Sequence, residues 1–259
     1  MCETPQEVRA LIRRGELVRP TSGLVPGYAQ ANLVMLPQDL AFDFLLFCQR
    51  NPGPCPVLEV TEAGGYEPTW TARGADLRTD LPLYRVYRNG ELLCEAGDAM
   101  DYWSDGLVCF LLGCSFTFES ALTRAAIRLR HIEQGKNVAM YVSSLEARPA
   151  GVFSGPVVVS MRPIQESKLV RCVQITSRFP QAHGAPLHMG DPDRIGIRDI
   201  RRPDYGDYVE IGEDEVPVFW ACGVTSQAAA LRSRPRLMIT HAPGHMFVTD
   251  ILDEDLAAF

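Results

Sequence analysis

The 259-residue chain lacks the features that would send it to a membrane, a nucleic acid or an oxidising compartment. Its opening residues, MCETPQEVRALIRRGELVRP, are charged from residue 3 onward and carry no apolar signal-peptide core. No stretch reaches the roughly 18 apolar residues needed to span a bilayer. With 25 Lys and Arg against 32 Asp and Glu, a net charge of -7 and a pI near 5.3, the chain has no basic field to neutralise phosphates, which excludes a general nucleic-acid binder. The eight cysteines, at 2, 48, 55, 94, 109, 114, 172 and 222, follow no framework spacing, and several sit in apolar runs. They read as reduced thiols of a cytoplasmic protein, used mainly as small core residues. No cysteine triplet has an iron–sulfur spacing, and neither a Walker-type run nor a GxGxxG after a strand marks a nucleotide site. No organic cofactor and no metal is expected.

What is present is a folded protein: 46% of residues are hydrophobic, enough for a sizeable core. Thr4, Pro5 and Glu7 announce a short helix to Arg14, and residues 38–50 an amphipathic one ended by Asn51-Pro52-Gly53-Pro54. Leu83–Arg88 and Glu91–Glu95, joined by Asn89-Gly90, give the clearest hairpin signal. A Gly- and Pro-rich loop over residues 20–28 leads into Leu33–Leu36, and strands are predicted at Val57–Val60, Val138–Ser143, Pro156–Met161, Arg171–Thr176, Val216–Ala221, Leu237–Thr240 and Met246–Ile251, with short helices at Ile164–Val170 and from Thr225 to Ser233. The fold class is therefore α/β. A mixed sheet with flanking helices in three layers is expected from residues 1–135 and 201–259, and a smaller two-layer α+β lobe from the inserted residues 136–200.

The densest chemistry lies in Gly106–Arg162. An apolar strand over Leu107–Leu112 reaches the small-residue turn Gly113-Cys114-Ser115. A helix capped by Ser115 or Thr117 then runs on Phe118, Leu122, Ala125, Leu129 and Ile132 until Gly135 stops it. Its free N–H groups face whatever is bound at the turn, and Glu119 falls in its first turn, favoured there by the helix dipole. Arg124, Arg128 and His131 share one flank, Glu119, Thr123 and Arg130 another. A core helix with an ordinary salt-bridged surface accounts for the same pattern, unless His131 is buried. A second strand–turn–helix, Phe219 to Thr225, echoes the first, and two such helix starts suit a substrate carrying two carboxylates.

Many words of the chain together resemble one family. They include Pro26-Gly27-Tyr28 with Gln30-Ala31-Asn32-Leu33, Gly113-Cys114-Ser115-Phe116, Arg130-His131-Ile132-Glu133, Ser154-Gly155-Pro156 through Arg162, His183-Gly184-Ala185-Pro186, Phe219 to Thr225, and Ile239-Thr240-His241-Ala242-Pro243-Gly244. Over nearly its whole length the chain is similar to the bacterial hydro-lyase family of α/β proteins, to which the D-glutamate cyclase domain of animal mitochondria is related. The resemblance implies an enzyme that closes D-glutamate to 5-oxo-D-proline with release of water. It brings no assigned residue roles. Ser226, where the family usually has Pro, removes no ionisable group.

Cyclising glutamate requires a base for the α-ammonium, stabilisation of the oxyanion at the γ-carbon, and an acid for the departing hydroxide. His183, His188 and Asp191 fall in one turn-rich loop, and His241 and His245 in another. With Glu119 they are the candidate acids and bases. Arg130 and Arg178 are candidate carboxylate partners, and Cys114, Ser115, Gly223, Thr225 and His245 candidate substrate contacts. Loop histidines can equally hold their loops by bonding backbone. His241-x3-His245 is a weak metal signal because Pro243-Gly244 forbids helical spacing. Loop 183–193, the Cys222–Thr225 turn and loop 241–245 are expected to converge on one pocket beside Gly113–Ser115. The expected partners are a small carboxylate or amino-acid substrate and further copies of the chain in a homo-oligomer. A hydro-lyase for another small carboxylic acid, or a non-catalytic dicarboxylate binder, would use much the same groups.

Overall fold

The computed structural model describes residues 4–258; Cys2 lies outside them. Along the chain the elements are α1 (Pro5–Arg13), β1 (Tyr28–Pro37), α2 (Gln38–Arg50), β2 (Val57–Val60), β3 (Tyr84–Arg88), β4 (Glu91–Ala96) and β5 (Leu107–Gly113). They continue with α3 (Glu119–Arg124), α4 (Arg130–Glu133), β6 (Ala139–Glu146), β7 (Pro156–Gln165), α5 (Leu169–Thr176), β8 (His188–Met189), β9 (Glu215–Ala221), α6 (Thr225–Ser233), β10 (Met238–His241) and β11 (Phe247–Leu252). The architecture is mixed α/β, built on two sheets. A seven-stranded sheet runs β2-β5-β1-β10-β3-β4, with β11 also paired to β1, and a four-stranded sheet runs β6-β7-β9-β8. All these ladders are antiparallel.

Strand alternation sets the layers. On the large sheet, Val34, Leu36, Phe110 and Leu112 face α2 and the second sheet, where they pack with Phe44, Phe47, Tyr141, Val159 and Phe219. Leu33, Met35, Cys109 and Leu111 face the opposite way, onto the segment around Leu77–Ala99. On the second sheet, Val218 and Trp220 point away from that shared core toward Phe118, Leu122, Cys172 and Ile175 of the α3–α5 layer. The second sheet takes β9 from beyond residue 200, so the inserted lobe proposed at 136–200 does not coincide with one sheet.

Local signals explain the firmest elements. Thr4 and Glu7 cap α1 reciprocally. Asn89 and Gly90, both at positive φ (53° and 81°), close the β3–β4 hairpin. Two readings are corrected. Residues Arg171–Thr176 are helical, within α5, because β7 extends to Gln165 and the amphipathic run after it lays Cys172 and Ile175 against the sheet. The long helix expected from Ser115 is a 3-10 turn at Ser115–Phe118, then α3, then a break before α4. Neither Ser115 nor Thr117 caps it. The break falls at Ala126, held at φ 55°, and it lets both Ile127 and Leu129 reach the Phe118–Trp220 core.

A left-handed alanine costs roughly 1 kcal/mol relative to glycine. Ala126 is exposed. Ala126→Gly is therefore expected to stabilise the fold by up to about 1 kcal/mol, or roughly 2–4 °C in Tm. A melting curve that moves downward instead would mean the break is not strained.

Candidate active site

The break in the helix builds a buried ionic cluster. In a continuous helix, residues 119 and 131 would stand about 18 Å apart along the axis. Here α4 folds back, and His131 Nε2 lies 3.2 Å from Glu119 Oε1. Both are buried. Arg162, projecting from β7 and fully buried, donates from Nε (2.9 Å) and an Nη (2.5 Å) to the same oxygen, and further bonds reach Ser115 Oγ and Ser160 Oγ. Its guanidinium lies 5.2 Å from the Phe118 ring centroid and 5.6 Å from that of Trp220. Burial pushes the Glu119 pKa up, but the electrostatic pull and hydrogen bonds of His131 and Arg162 outweigh it, and the carboxyl stays ionised below its ordinary range. His131 Nδ1 is buried without a hydrogen-bond partner.

Among the described residues, the second oxygen of Glu119 accepts only from the Ser22 hydroxyl, 3.4 Å away. Glu119 there lines a cleft of about 460 Å³, walled by loop 23–28, Phe116, Ser120, Arg124 and Asp253. The loop is tied down at both ends: Thr21 N–H donates to Gly244 O, and Asp253 N–H to Gly27 O. Val25 within it adopts φ 43°, an outlier for a β-branched residue, held by packing with Val8, Ile12 and Val248. Asp253 is buried, with one carboxylate oxygen accepting from Ser120 Oγ at 2.5 Å and the other unpartnered. Burial raises its pKa to about 6, against the smaller opposing effects of Ser120 and Arg124.

The other expected residues fall into three groups. Cys114, Ser115, Gly223 and Thr225 gather where β5 and β9 end: Asn32 donates its amide to Gly113 O (2.6 Å), and a side chain at Gly223 would collide with that amide. Thr225 Oγ donates to Cys222 O, and burial pushes the Cys114 and Cys222 thiols up, so they are packing groups rather than thiolates. His183, His241 and His245 adjoin this region with their rings on backbone: Gly53 O, Leu33 and Pro243 O respectively. Burial lowers His183 and His241 to about 4, and lowers His245 as well. The third group stands apart from the cleft. His188 bonds Asp191 O on edge strand β8, and the Asp191 carboxylate caps the turn at Pro192–Ile195. Arg130 pairs with Glu215, and Arg178 reaches Ala258 O. Among the described residues no three His, Cys, Asp or Glu side chains are placed to hold a metal ion.

Arg162, His131 and Asp253 were not singled out from the sequence as site residues, although the first two stand inside quoted family words. Asp253 had no local signal, since its environment comes from burial beside Ser120, 133 positions earlier.

A two-sheet α/β scaffold with two inward-facing carboxyls of opposite pKa shift is the form of an acid–base enzyme. Residues 108–250 match the family described as D-glutamate cyclase. Across almost the whole chain, proteins named "Putative hydro-lyase" are similar: 62% identical in Thermoanaerobacter sp. (strain X514), with 98% of this chain and 96% of that protein covered. In Psychrobacter arcticus the identity is 60% (98% and 97% covered), and in Bacillus subtilis 59% (98% and 98%). The chain belongs to this hydro-lyase family and carries the D-glutamate cyclase domain over residues 108–250. Among solved structures, a nitrogen repressor-like protein from Methanococcus jannaschii aligns over 95% of this chain and 98% of its own at 7% identity, with a TM-score of only 0.38.

Glu119→Gln leaves a fully buried guanidinium without its counter-charge, and a loss of about 3–5 kcal/mol is expected in urea unfolding at neutral pH. Because the folded pKa of Glu119 is depressed, its contribution is present above the unfolded value and disappears as pH falls through the folded one. The variant should therefore show a shallower acid decline than the parent. Equal stability of the two proteins at neutral pH would show that the ion pair does not support the core.

Proposed function

We propose that the cleft at Glu119 interconverts D-glutamate and 5-oxo-D-proline with release or uptake of water, without an organic cofactor. The observation that carries this reading is the pair of carboxyls in one cleft, Glu119 held ionised and Asp253 raised to about 6. In the forward direction the α-amine attacks the γ-carboxyl carbon, the C–N bond forms, and one γ-oxygen departs. The two protons lost by the ammonium leave with that oxygen as water, so the step needs no other reactant. Asp253 is assigned the transfer: ionised, it accepts an ammonium proton through its unpartnered oxygen and then returns it to the leaving oxygen. Glu119 Oε2, which accepts from Ser22, receives the ammonium, and Arg124 on the rim of the cleft pairs with a substrate carboxylate. Leu24, Val25 and Phe116 supply an apolar wall for the methylenes.

Asp253→Asn keeps the shape and removes the transfer, so turnover should fall about 10²-fold or more. Tm at pH 7 should not fall, because the native protein disfavours the ionised Asp253 and binds more protons than the unfolded chain between the two pKa values. In the parent, kcat/KM should rise as pH increases through about 6, and this limb should vanish in the variant. Pure protein incubated with D- and L-glutamate, 5-oxoproline and a panel of hydroxy acids, read by chiral chromatography, tests the substrate. Turnover of a hydroxy acid alone would keep the acid–base pair and replace the substrate. By the same assay His188→Asn, at the sheet edge, should retain activity.

A further inference from the structure

Next to the Glu119 cleft a second hollow of about 530 Å³ opens between α3, α5 and the turn at Asp253–Leu256. Arg124, Arg171 and Arg178 line it above a floor that includes Ile175 and Phe179. In a chain of net charge -7, three guanidiniums around one hollow form a local reversal of sign. Most of their donors are uncommitted. The Arg171 side chain makes no hydrogen bond or ion pair among the described residues, and the Arg178 side chain uses only Nε, toward Ala258 O at 3.3 Å. Arg124 reaches Glu254, the one carboxylate in the lining, at 3.9 Å, with both side chains more than half exposed. Arg171 and Arg178 are seven residues apart and share a face of the α5 region.

We propose that this hollow is an effector site for a multivalent oxyanion, phosphate or a small dicarboxylate, gripped by Arg171 and Arg178 with Arg124. The planar donor forks of arginine match both chemistries bidentately. Arg124 lines both hollows. An anion held in the second hollow draws that guanidinium from the first and weakens substrate binding there, raising KM with little change in kcat. This coupling rests on the role given to Arg124 in the proposed reaction; the anion site itself does not.

The test is calorimetry on the whole protein at constant ionic strength, titrating inorganic phosphate and, separately, malonate. Saturable binding of at least one is expected, weakened about tenfold in Arg171→Gln, an exposed position outside the reaction site. Preference between the two anions identifies the effector chemistry. In steady-state kinetics a saturating anion should raise KM about fivefold or more in the parent and leave Arg171→Gln, whose basal activity is unchanged, unaffected. Absence of saturable heat with both anions, or equal binding by the variant, overturns the site; binding that leaves KM unmoved overturns the coupling. If glutamate is not a substrate, the calorimetry still decides the site, so its failure is separable from failure of the reaction assigned above.

Discussion

Arg162 is a permanent cation with no exposed surface, and the arrangement of the α3–α5 layer follows from satisfying it. Removing such a charge from water costs several kcal/mol unless a counter-ion and hydrogen bonds replace the solvent. Glu119 supplies the counter-ion, Ser115 and Ser160 the remaining acceptors, and the Phe118 and Trp220 rings a polarisable surround. Each of these fixes a piece of backbone. The 3-10 turn at Ser115–Phe118 holds Ser115 and Glu119 on the same guanidinium, and the interruption at Ala126 brings His131 to the carboxylate. The field extends further: Arg162 adds to the burial that keeps His183 neutral.

The two carboxyls of the cleft differ because their partners differ. Glu119 is as deeply buried as Asp253, but it has a buried guanidinium and an imidazole within contact distance, and these overcome desolvation. Asp253 has one hydroxyl and a more distant, exposed Arg124, so desolvation prevails. One group is thereby kept a fixed anion while the other titrates near neutrality. That division of labour is set by which side chain found the buried cation, and the sequence spacing of 119 and 253 carries no trace of it.

Local chemistry was legible where it is local. The Thr4/Glu7 capping box, the Asn89-Gly90 hairpin, the turn at Gly113-Cys114-Ser115 and Glu119 at a helix start each depend on residues within a few positions of one another. Periodicity misled where tertiary packing overrode it. The apolar spacing from Phe118 to Ile132 fits one helix, yet burying Ile127 and Leu129 beside Trp220 requires a break that propensity does not signal at Ala125-Ala126. Arg162 was hidden inside a Val-rich strand, where its pairing with Glu119 spans 43 positions. The paired loop histidines drew attention by composition, but turn-rich loops need backbone bonds as much as they offer catalysis. In the structure four of these rings bond backbone groups.

Family membership constrains the chemistry more tightly than the substrate. In the reaction proposed above, the departing oxygen needs a group that takes up a proton and returns it near neutrality, and a buried carboxyl raised to about 6 can do so whichever C–O bond breaks. In that proposal, substrate choice falls to the groups at the edge of the cleft instead: the reach of Arg124 and the apolar wall of loop 23–28. That loop is fastened through Thr21 to Gly244 and through Gly27 to Asp253, so the apolar wall of the cleft and the Asp253 carboxyl are placed by the same tethers. A change that shifts the wall therefore shifts Asp253 with it, and in the proposed reaction this couples selectivity to rate.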